Sequence, residues 1–292
     1  MTIWNHIARA IADATGTPFA PSSPASVGGG CINRAYRLAD GARSYFVKIN
    51  DASGLDMFEA EAAGLEAMAA ARAIRVPRPV TVGTAERSAY LVLEYISLGG
   101  RGDPRVMGEQ LAAMHRVTST RFGWGRDNTI GSTPQVNTPA DDWVAFWRAQ
   151  RLGFQLNLAG RNGIGARVLE RGERLMAEMD ALFQDHQPEA SLLHGDLWGG
   201  NAAADEQGNP VIFDPATYFG DRETDIAMTE LFGGFGRGFY DAYNAAWPLD
   251  AGYGVRKTFY NLYHILNHYN LFGGGYGSQA EGMIQQLLAE LR

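Results

Sequence analysis

The stretch "SLLHGDLWGGNAAADEQGNPVIFD", residues 191–214, gathers His194, Asp196, Trp198, Asn201 and Asp214 between two short apolar runs. The runs "SLLH" and "PVIFD" are too short for helices. The polar span between them carries a Gly pair, Gly199 and Gly200, which reads as a loop. A base, a carboxylate pair, an amide and an indole thus sit on one loop and at the end of the strand that follows it.

Outward from this stretch, the rest of the C-terminal part reads as helices over 104–118, 140–157, 164–186, 222–232, 235–246, 254–271 and 278–291. Upstream the character changes. Residues 3–14 carry Ile3, Ile7 and Ile11 at helical spacing and stop near Gly16 and Pro18. From about 25 to 50 the chain alternates, with Tyr36 and Leu38 before "DG" at 40–41 and Tyr45, Val47 and Ile49 after it, which predicts two or three antiparallel strands. "LDMFEAEAAGLEAMAAAR", 55–72, reads as a helix, and "AYLVLEYI", 89–96, as a buried strand. "SLGGRGDP" then reads as a linker. The expectation is an α+β chain with a strand-rich part at 1–96 and a larger, mostly helical part at 97–292.

Composition narrows the function classes. A chain of 292 residues with 46% hydrophobic and 20% charged content can bury a full core. The net charge of −7 and the lack of a Lys/Arg run argue against nucleic acid as a partner. Cys31 is the single cysteine, so no intramolecular disulfide is possible, and the chain reads as cytoplasmic. No apolar run is long enough for a membrane span, and the N-terminus lacks a signal-peptide core.

Phosphoryl transfer from ATP needs a carboxylate for the acceptor hydroxyl, groups for Mg²⁺, and cations on the phosphates. Sites of the protein-kinase type put the catalytic Asp in H-x-D, an Asn for Mg²⁺ five residues on, and a second metal-binding Asp after the next strand. His194, Asp196, Asn201 and Asp214 keep that order. The same logic requires, upstream, a Gly-rich hairpin, a strand Lys and a helix Glu. Gly28, Gly29 and Gly30 open the hairpin, where bare backbone can approach phosphates. Lys48 lies in the apolar strand "YFVKI", its alternative reading being a solubilising lysine on an edge strand. Glu61 shares a helical face with Phe58 and Leu65 and is the expected partner of Lys48, with Glu59 as the alternative. Glu94, Tyr95 and Ile96 stand where backbone groups would meet adenine. His264 and His268, at i and i+4, lack the Glu and Cys of a zinc motif. There is no G-x-S-x-G.

These residues, with "GGGCINRAYRL", "MFEAEAAGLEAM", "FGWGRDNTIGSTPQVN", "DWVAFWRAQRL", "IFDPATYFGDRETDIAMTELFGGF" and "NLYHILNHYNLFGGGY", make the chain similar to the fructosamine kinase (ketosamine 3-kinase) family, in the aminoglycoside-phosphotransferase-like branch of the protein-kinase fold. The match runs in order over about residues 20–277. It implies a bilobal fold with a small antiparallel-sheet N-lobe and a larger helical C-lobe. It also implies an ATP- and Mg²⁺-dependent enzyme that phosphorylates the 3-hydroxyl of a ketosamine, free or on a glycated protein lysine. The product is unstable and releases the amine, which implies deglycation repair. A kinase of another small amine or alcohol, aminoglycoside- or choline-like, is the alternative.

By the resemblance, Asp196 is the catalytic base, Asn201 and Asp214 hold Mg²⁺, Lys48 contacts the phosphates and Glu61 orients Lys48. His194 and Asp225 brace the loop, although Asp225 also reads as an N-terminal helix charge. Trp198, His264, His268 and Asn128 are expected on the substrate side, Trp198 stacking on a sugar or ammonium unless it only wedges the loop. Gly200 stands where the family usually has Ser, with a small effect expected because Asn201 is retained. Cys31 follows the Gly triplet and reads either as a small buried residue or as a redox switch linking a dimer, so the chain is expected to be a monomer or a redox-linked dimer.

Overall fold

The computed structural model describes residues 2–28 and 33–291, so Gly29, Gly30 and Cys31 fall outside the described residues. The chain divides into two compact units, Met1–Asp103 with Ala203–Pro215, and Pro104–Ala202 with Ala216–Arg292.

The first unit starts with α1 (Ile3–Thr15), β1 (Ala25–Val27), β2 (Arg34–Ala39), β3 (Ser44–Asp51), α2 (Leu55–Ala71), β4 (Pro79–Ala85) and β5 (Ser88–Glu94). The strands form one antiparallel sheet in the order β1-β2-β3-β5-β4. The isoleucine spacing of α1 has the consequence its period dictates. Ile7 and Ile11 are fully buried and pack with Phe19, Leu38, Val47, Ile49, Tyr90 and Val92. Gly16 ends this helix at φ 66, a left-handed conformation that suits glycine. On α2, Phe58, Leu65 and Met68 are fully buried. Each such side chain contributes roughly 1.5–3 kcal/mol relative to exposure.

The second unit contains α3 (Pro104–His115), β6 (Thr118–Ser119), β7 (Asn128–Ile130), β8 (Thr133–Gln135), α4 (Trp143–Trp147), α5 (Gly153–Arg161), α6 (Ala166–Glu178) and β9 (Ala190–Leu193). The chain then forms β10 (Ala202–Ala204) and β11 (Pro210–Ile212), which pair with each other and fall largely in the first unit. It returns to the second unit with β12 (Tyr218–Gly220), α7 (Glu223–Leu231), α8 (Arg237–Ala246), α9 (Tyr253–Phe272) and α10 (Tyr276–Glu290). β12, β9 and β6 make a small sheet. The core of this unit is aromatic. Trp147 stands edge-on to Tyr260 with ring centroids 4.9 Å apart, and Trp143 donates through Nε1 to the Tyr260 hydroxyl at 3.0 Å.

Two expected elements are interrupted. The helix read over 140–157 is α4 and α5 joined by a π-helical stretch, Arg148–Leu152. The helix read over 164–186 ends as an α-helix at Glu178 and tightens into a 3₁₀ turn, Met179–Phe183. The linear division at residue 96 differs from the observed one, because residues 203–215 fold with the N-terminal unit. Among the described residues, no helix is long and apolar enough to cross a membrane.

Candidate active site

Lys48 lies on β3, which has β2 on one side and β5 on the other, so the edge-strand reading does not apply. Its ammonium is 2.6 Å from Glu61 Oε1 and 2.6 Å from Asp214 Oδ1. Burial opposes the charge on Lys48, but the Glu61 and Asp214 carboxylates outweigh it and raise its pKa above the usual lysine value. Helix α2 presents Glu61 to the sheet with Phe58 and Leu65, so Glu61, not Glu59, meets the lysine. Asp214 ends the run after β11 at φ 59, a left-handed conformation that Asp tolerates better than most residues. Its side chain is 44% exposed.

The segment carrying Asp214 is tied down within the same unit. Arg75 reaches Asp205 Oδ2 at 2.5 Å and Glu94 Oε1 at 2.9 Å, and Arg75 also bridges to Val211. Glu94 therefore uses its carboxylate on Arg75, and its N–H donates to the Arg78 carbonyl at 2.8 Å. Tyr95 lies under the Arg37 guanidinium at 4.7 Å, and Ile96 is half-buried. Gly28 is exposed directly after β1.

In the second unit, β9 leads into His194-Gly195-Asp196. Gly195 has φ 83, and a Cβ there would lie 2.1 Å from the Ala216 carbonyl oxygen, so only glycine fits. Asp225, fully buried near the start of α7, holds the loop from behind. Its Oδ2 accepts from the His194 N–H at 2.7 Å and its Oδ1 from the Gly195 N–H at 2.8 Å. His115 Nε2 lies 3.1 Å from the same Oδ2, and its Nδ1 lies 2.8 Å from the Tyr243 hydroxyl. Burial opposes the Asp225 charge, yet His115, His194 and the Gly195 N–H hold its carboxyl below the usual value. The brace reading of Asp225 therefore has its geometry. His194 is fully buried and accepts the Asp196 N–H through Nδ1 at 3.2 Å.

Asn201 donates through Nδ2 to the Asp196 carbonyl at 2.8 Å and to Asp196 Oδ2 at 3.2 Å. Its orientation is thereby fixed, and Oδ1 is the atom it can present to a hard cation. Asn201 in this unit and Asp214 in the first each carry an oxygen donor of the kind a hard cation such as Mg²⁺ prefers.

Asn128, expected on the substrate side, is anchored within its own unit. Its Nδ2 donates to the Thr217 carbonyl at 2.8 Å, and its Oδ1 accepts from Gln135 at 2.8 Å and Asn137 at 2.9 Å. With three bonds inside the unit, this amide positions the chain just after Asp214. Gln135, Asn137 and the fully buried Arg151, which donates to Asn137 Oδ1 at 2.6 Å, complete the network. They were not singled out in the sequence, although "GSTPQVN" and "WRAQRL" carry them.

Trp198 is 38% exposed and stands edge-on to Phe232 at 6.0 Å; Phe232 in turn meets His268 at 5.0 Å. His268 donates through Nδ1–H to the His264 carbonyl, 2.8 Å away, and packs against Phe272 and Tyr276. His264 is buried, and burial together with His268 pushes its pKa down to about 3, so it is neutral. Elsewhere, His186, Glu223 and Asp250 bring ligand atoms within 4.8 Å of one another. They are engaged as ion pairs: His186 with Asp221 and Asp250, both at 2.6 Å, and Glu223 with Arg256 at 2.7 Å.

Known proteins bear on these groups. The fructosamine kinase family model matches residues 3–290. A Synechocystis sp. protein assigned as a ketoamine kinase is 51% identical over 98% of this chain and 97% of its own. The chloroplastic protein-ribulosamine 3-kinase of Arabidopsis thaliana is 48% identical over 91% of this chain and 83% of its own. A crystal structure assigned as a fructosamine-3-kinase from Haemophilus somnus superposes with a TM-score of 0.90 at 30% identity, covering 98% of this chain and 97% of that one. With a whole-length match and the ordered set Lys48, Glu61, Asp196, Asn201, Asp214 and Asp225 in place, the chain belongs to the fructosamine kinase family.

Proposed function

We propose that this chain is an ATP-dependent kinase that phosphorylates the sugar 3-hydroxyl of ketosamines of the ribulosamine or fructosamine type, free or on protein lysines. The observation that carries the nucleotide half of the reading is the buried Lys48 ammonium held at 2.6 Å by both Glu61 and Asp214. An ammonium fixed in that way beside a metal-binding carboxylate suits a pair of phosphates. The names borne by the relatives support the ketosamine acceptor.

In this reading Asp196 orients the acceptor hydroxyl and takes its proton as the new O–P bond forms and the bond to ADP breaks. Asn201 fixes the Asp196 carboxylate through its N–H contact, and Asp225 fixes the backbone on which both ride. Asn201 and Asp214 would hold Mg²⁺, which when bound neutralises charge on the phosphates. Trp198 flanks the acceptor on the loop that carries Asp196, offering an aromatic face to the sugar or to its ammonium.

The test is phosphate transfer measured across erythrulosamine, ribulosamine and fructosamine derivatives of lysine, with plain lysine, an aminoglycoside and choline as controls. ATP consumption confined to ketosamines is expected, and Asp196→Asn should abolish turnover while Mg·ATP binding persists. Comparable turnover with aminoglycoside or choline, or surviving turnover in Asp196→Asn, would overturn the proposal.

A further inference from the structure

Arg151 is fully buried, in the π-helical stretch that joins α4 to α5. Such stretches recur at functional sites. A guanidinium is always charged and only donates, so burying it is costly unless oxygens receive its N–H groups. Nη1 donates to the Val136 carbonyl at 2.6 Å and to the Gln150 carbonyl at 3.1 Å, and Nη2 donates to Asn137 Oδ1 at 2.6 Å. The guanidinium also lies over the Tyr218 ring at 4.1 Å and the Phe146 ring at 4.7 Å.

From Asn137 the hydrogen bonds run in one sense. With its Oδ1 turned to the guanidinium, Asn137 donates through Nδ2 to Asn128 Oδ1 at 2.9 Å. Asn128 Nδ2 then donates to the Thr217 carbonyl at 2.8 Å. Gln135 joins at the same node. Its Nε2 donates to Asn128 Oδ1 at 2.8 Å and to the Ala216 carbonyl at 3.0 Å, and its Oε1 accepts from the Tyr263 hydroxyl at 2.7 Å. Turning over any one of these three amides would set acceptor against acceptor. The path ends on the backbone that seats the catalytic loop. The Ala216 N–H donates to the His194 carbonyl at 2.9 Å, and Gly195 lies so close to the Ala216 carbonyl oxygen that a Cβ would come within 2.1 Å of it. Asp196 is the next residue.

We propose that Arg151 is a positioning residue for the phosphoryl transfer, acting through Asn137 and Asn128 on the Ala216–Thr217 backbone and so on the turn that carries Asp196. The inference rests on the proposed role of Asp196 as the base. The cation at the head of the path polarises each bond in the same direction, and aligned hydrogen bonds strengthen one another in a low-dielectric interior. Tyr218, on whose ring the guanidinium lies, directly follows Thr217, so one side chain holds this backbone both through the amides and through the ring.

The experiment pairs steady-state kinetics with amide hydrogen exchange by NMR on Arg151→Lys, Asn128→Ala and the double variant. Lysine keeps the charge and the stem but loses the fork that reaches Val136 and Asn137 together. In Arg151→Lys, kcat for a ketosamine should fall roughly tenfold to a hundredfold, the scale of a small misplacement relayed to the chemistry. KM for Mg·ATP should change less, because Lys48 still holds Asp214. Exchange at the Ala216 N–H should quicken roughly threefold to tenfold, the scale of one weakened hydrogen bond, while the amides of the fully buried Phe259 and Leu262 keep their protection. The double variant should have the kcat of Asn128→Ala alone, because both changes cut one path. Asn137→Ser leaves the buried cation in place and removes the amide that links it to Asn128. It should reproduce the kcat loss and the faster Ala216 exchange, and it carries the test if Arg151→Lys does not fold. Losses in kcat that multiply in the double variant, or equal loosening at Ala216, Phe259 and Leu262, overturn the inference and leave Arg151 a support of the fold alone. Unchanged kcat with unchanged exchange at Ala216 overturns it as well. A wild-type chain inactive on every ketosamine overturns the proposed activity instead, while faster exchange confined to Ala216 would still show the path from Arg151 to the loop.

Discussion

Replacing Asp225 by Asn keeps the shape of one side chain and reverses the hydrogen-bonding sense of one of its atoms. In the native loop Oδ1 accepts from Gly195, while Oδ2 accepts from His194 and lies by His115. An Asn amide placed either way turns an NH₂ toward a backbone N–H, leaving one buried donor facing another. An unsatisfied buried donor costs about 1–3 kcal/mol. The remaining bonds also lose charge assistance, which makes such bonds about twice as strong as neutral ones. A total near 3 kcal/mol is reasonable, short of the ~3–5 kcal/mol for stranding a buried charge. At about 2–4 °C per kcal/mol for a chain of this size class, Tm should fall by roughly 6–12 °C. Turnover should fall by about two orders of magnitude, because the loop that carries Asp196 loses an anchor and small misplacements are costly in a catalytic constellation. Differential scanning calorimetry with initial-rate kinetics below the new Tm checks both. A Tm within 1–2 °C of wild type, with kcat retained, would refute the view that Asp225 is the loop's support.

Two further outcomes follow from geometry already described. Gly195→Ala should destabilise the loop by at least the ~1–2 kcal/mol of a left-handed non-glycine residue, and should lower kcat with little change in Mg·ATP affinity, as titration calorimetry would measure. For His186, burial opposes the charge but Asp221 outweighs it, with Glu223 also favouring the imidazolium and Arg256 opposing it, so its pKa is raised. A raised folded-state pKa means the stabilisation is fully present below the unfolded value of about 6.5 and is lost as pH rises through the folded value. The Tm difference between wild type and His186→Gln should therefore narrow as pH rises above about 6.5, and a gap that widens over that range would contradict the assigned charge.

The parts of the molecule that were legible in the sequence are those whose chemistry fixes their spacing. His194, Asp196 and Asn201 share one loop, so their spacing in the chain carries their arrangement within it, and Asp214 follows the short strand β11. Glu61 was legible because a helical period ties it to Phe58 and Leu65. What escaped was short or distant. β6, with two residues, and β12, with three, are too brief to show alternation. The π-helical stretch inside "WRAQRL" leaves helical composition intact and changes only the phase. His115 meets Asp225 across 110 residues of chain, and Arg75 meets Asp205 across 130, and neither pairing has a local pattern. Asn128 was expected on the substrate side from its motif alone, and nothing local in the sequence showed that its amide also satisfies the Thr217 carbonyl 89 residues away.

The return of residues 203–215 to the N-terminal unit sets a schedule for synthesis. When the ribosome has released the first 103 residues, Lys48 has Glu61 but not Asp214, and Arg75 has Glu94 but not Asp205. At elongation rates of about 5–20 residues per second the missing segment emerges on the order of ten seconds later, after more than half of the helical unit has been made. The N-terminal unit is thus first in the chain yet stays incomplete until Pro104–Ala202 of the other unit has been made. For the same reason, cutting the gene after the linker would yield a fragment whose buried lysine and half-paired arginine lack the partners that only the later chain supplies.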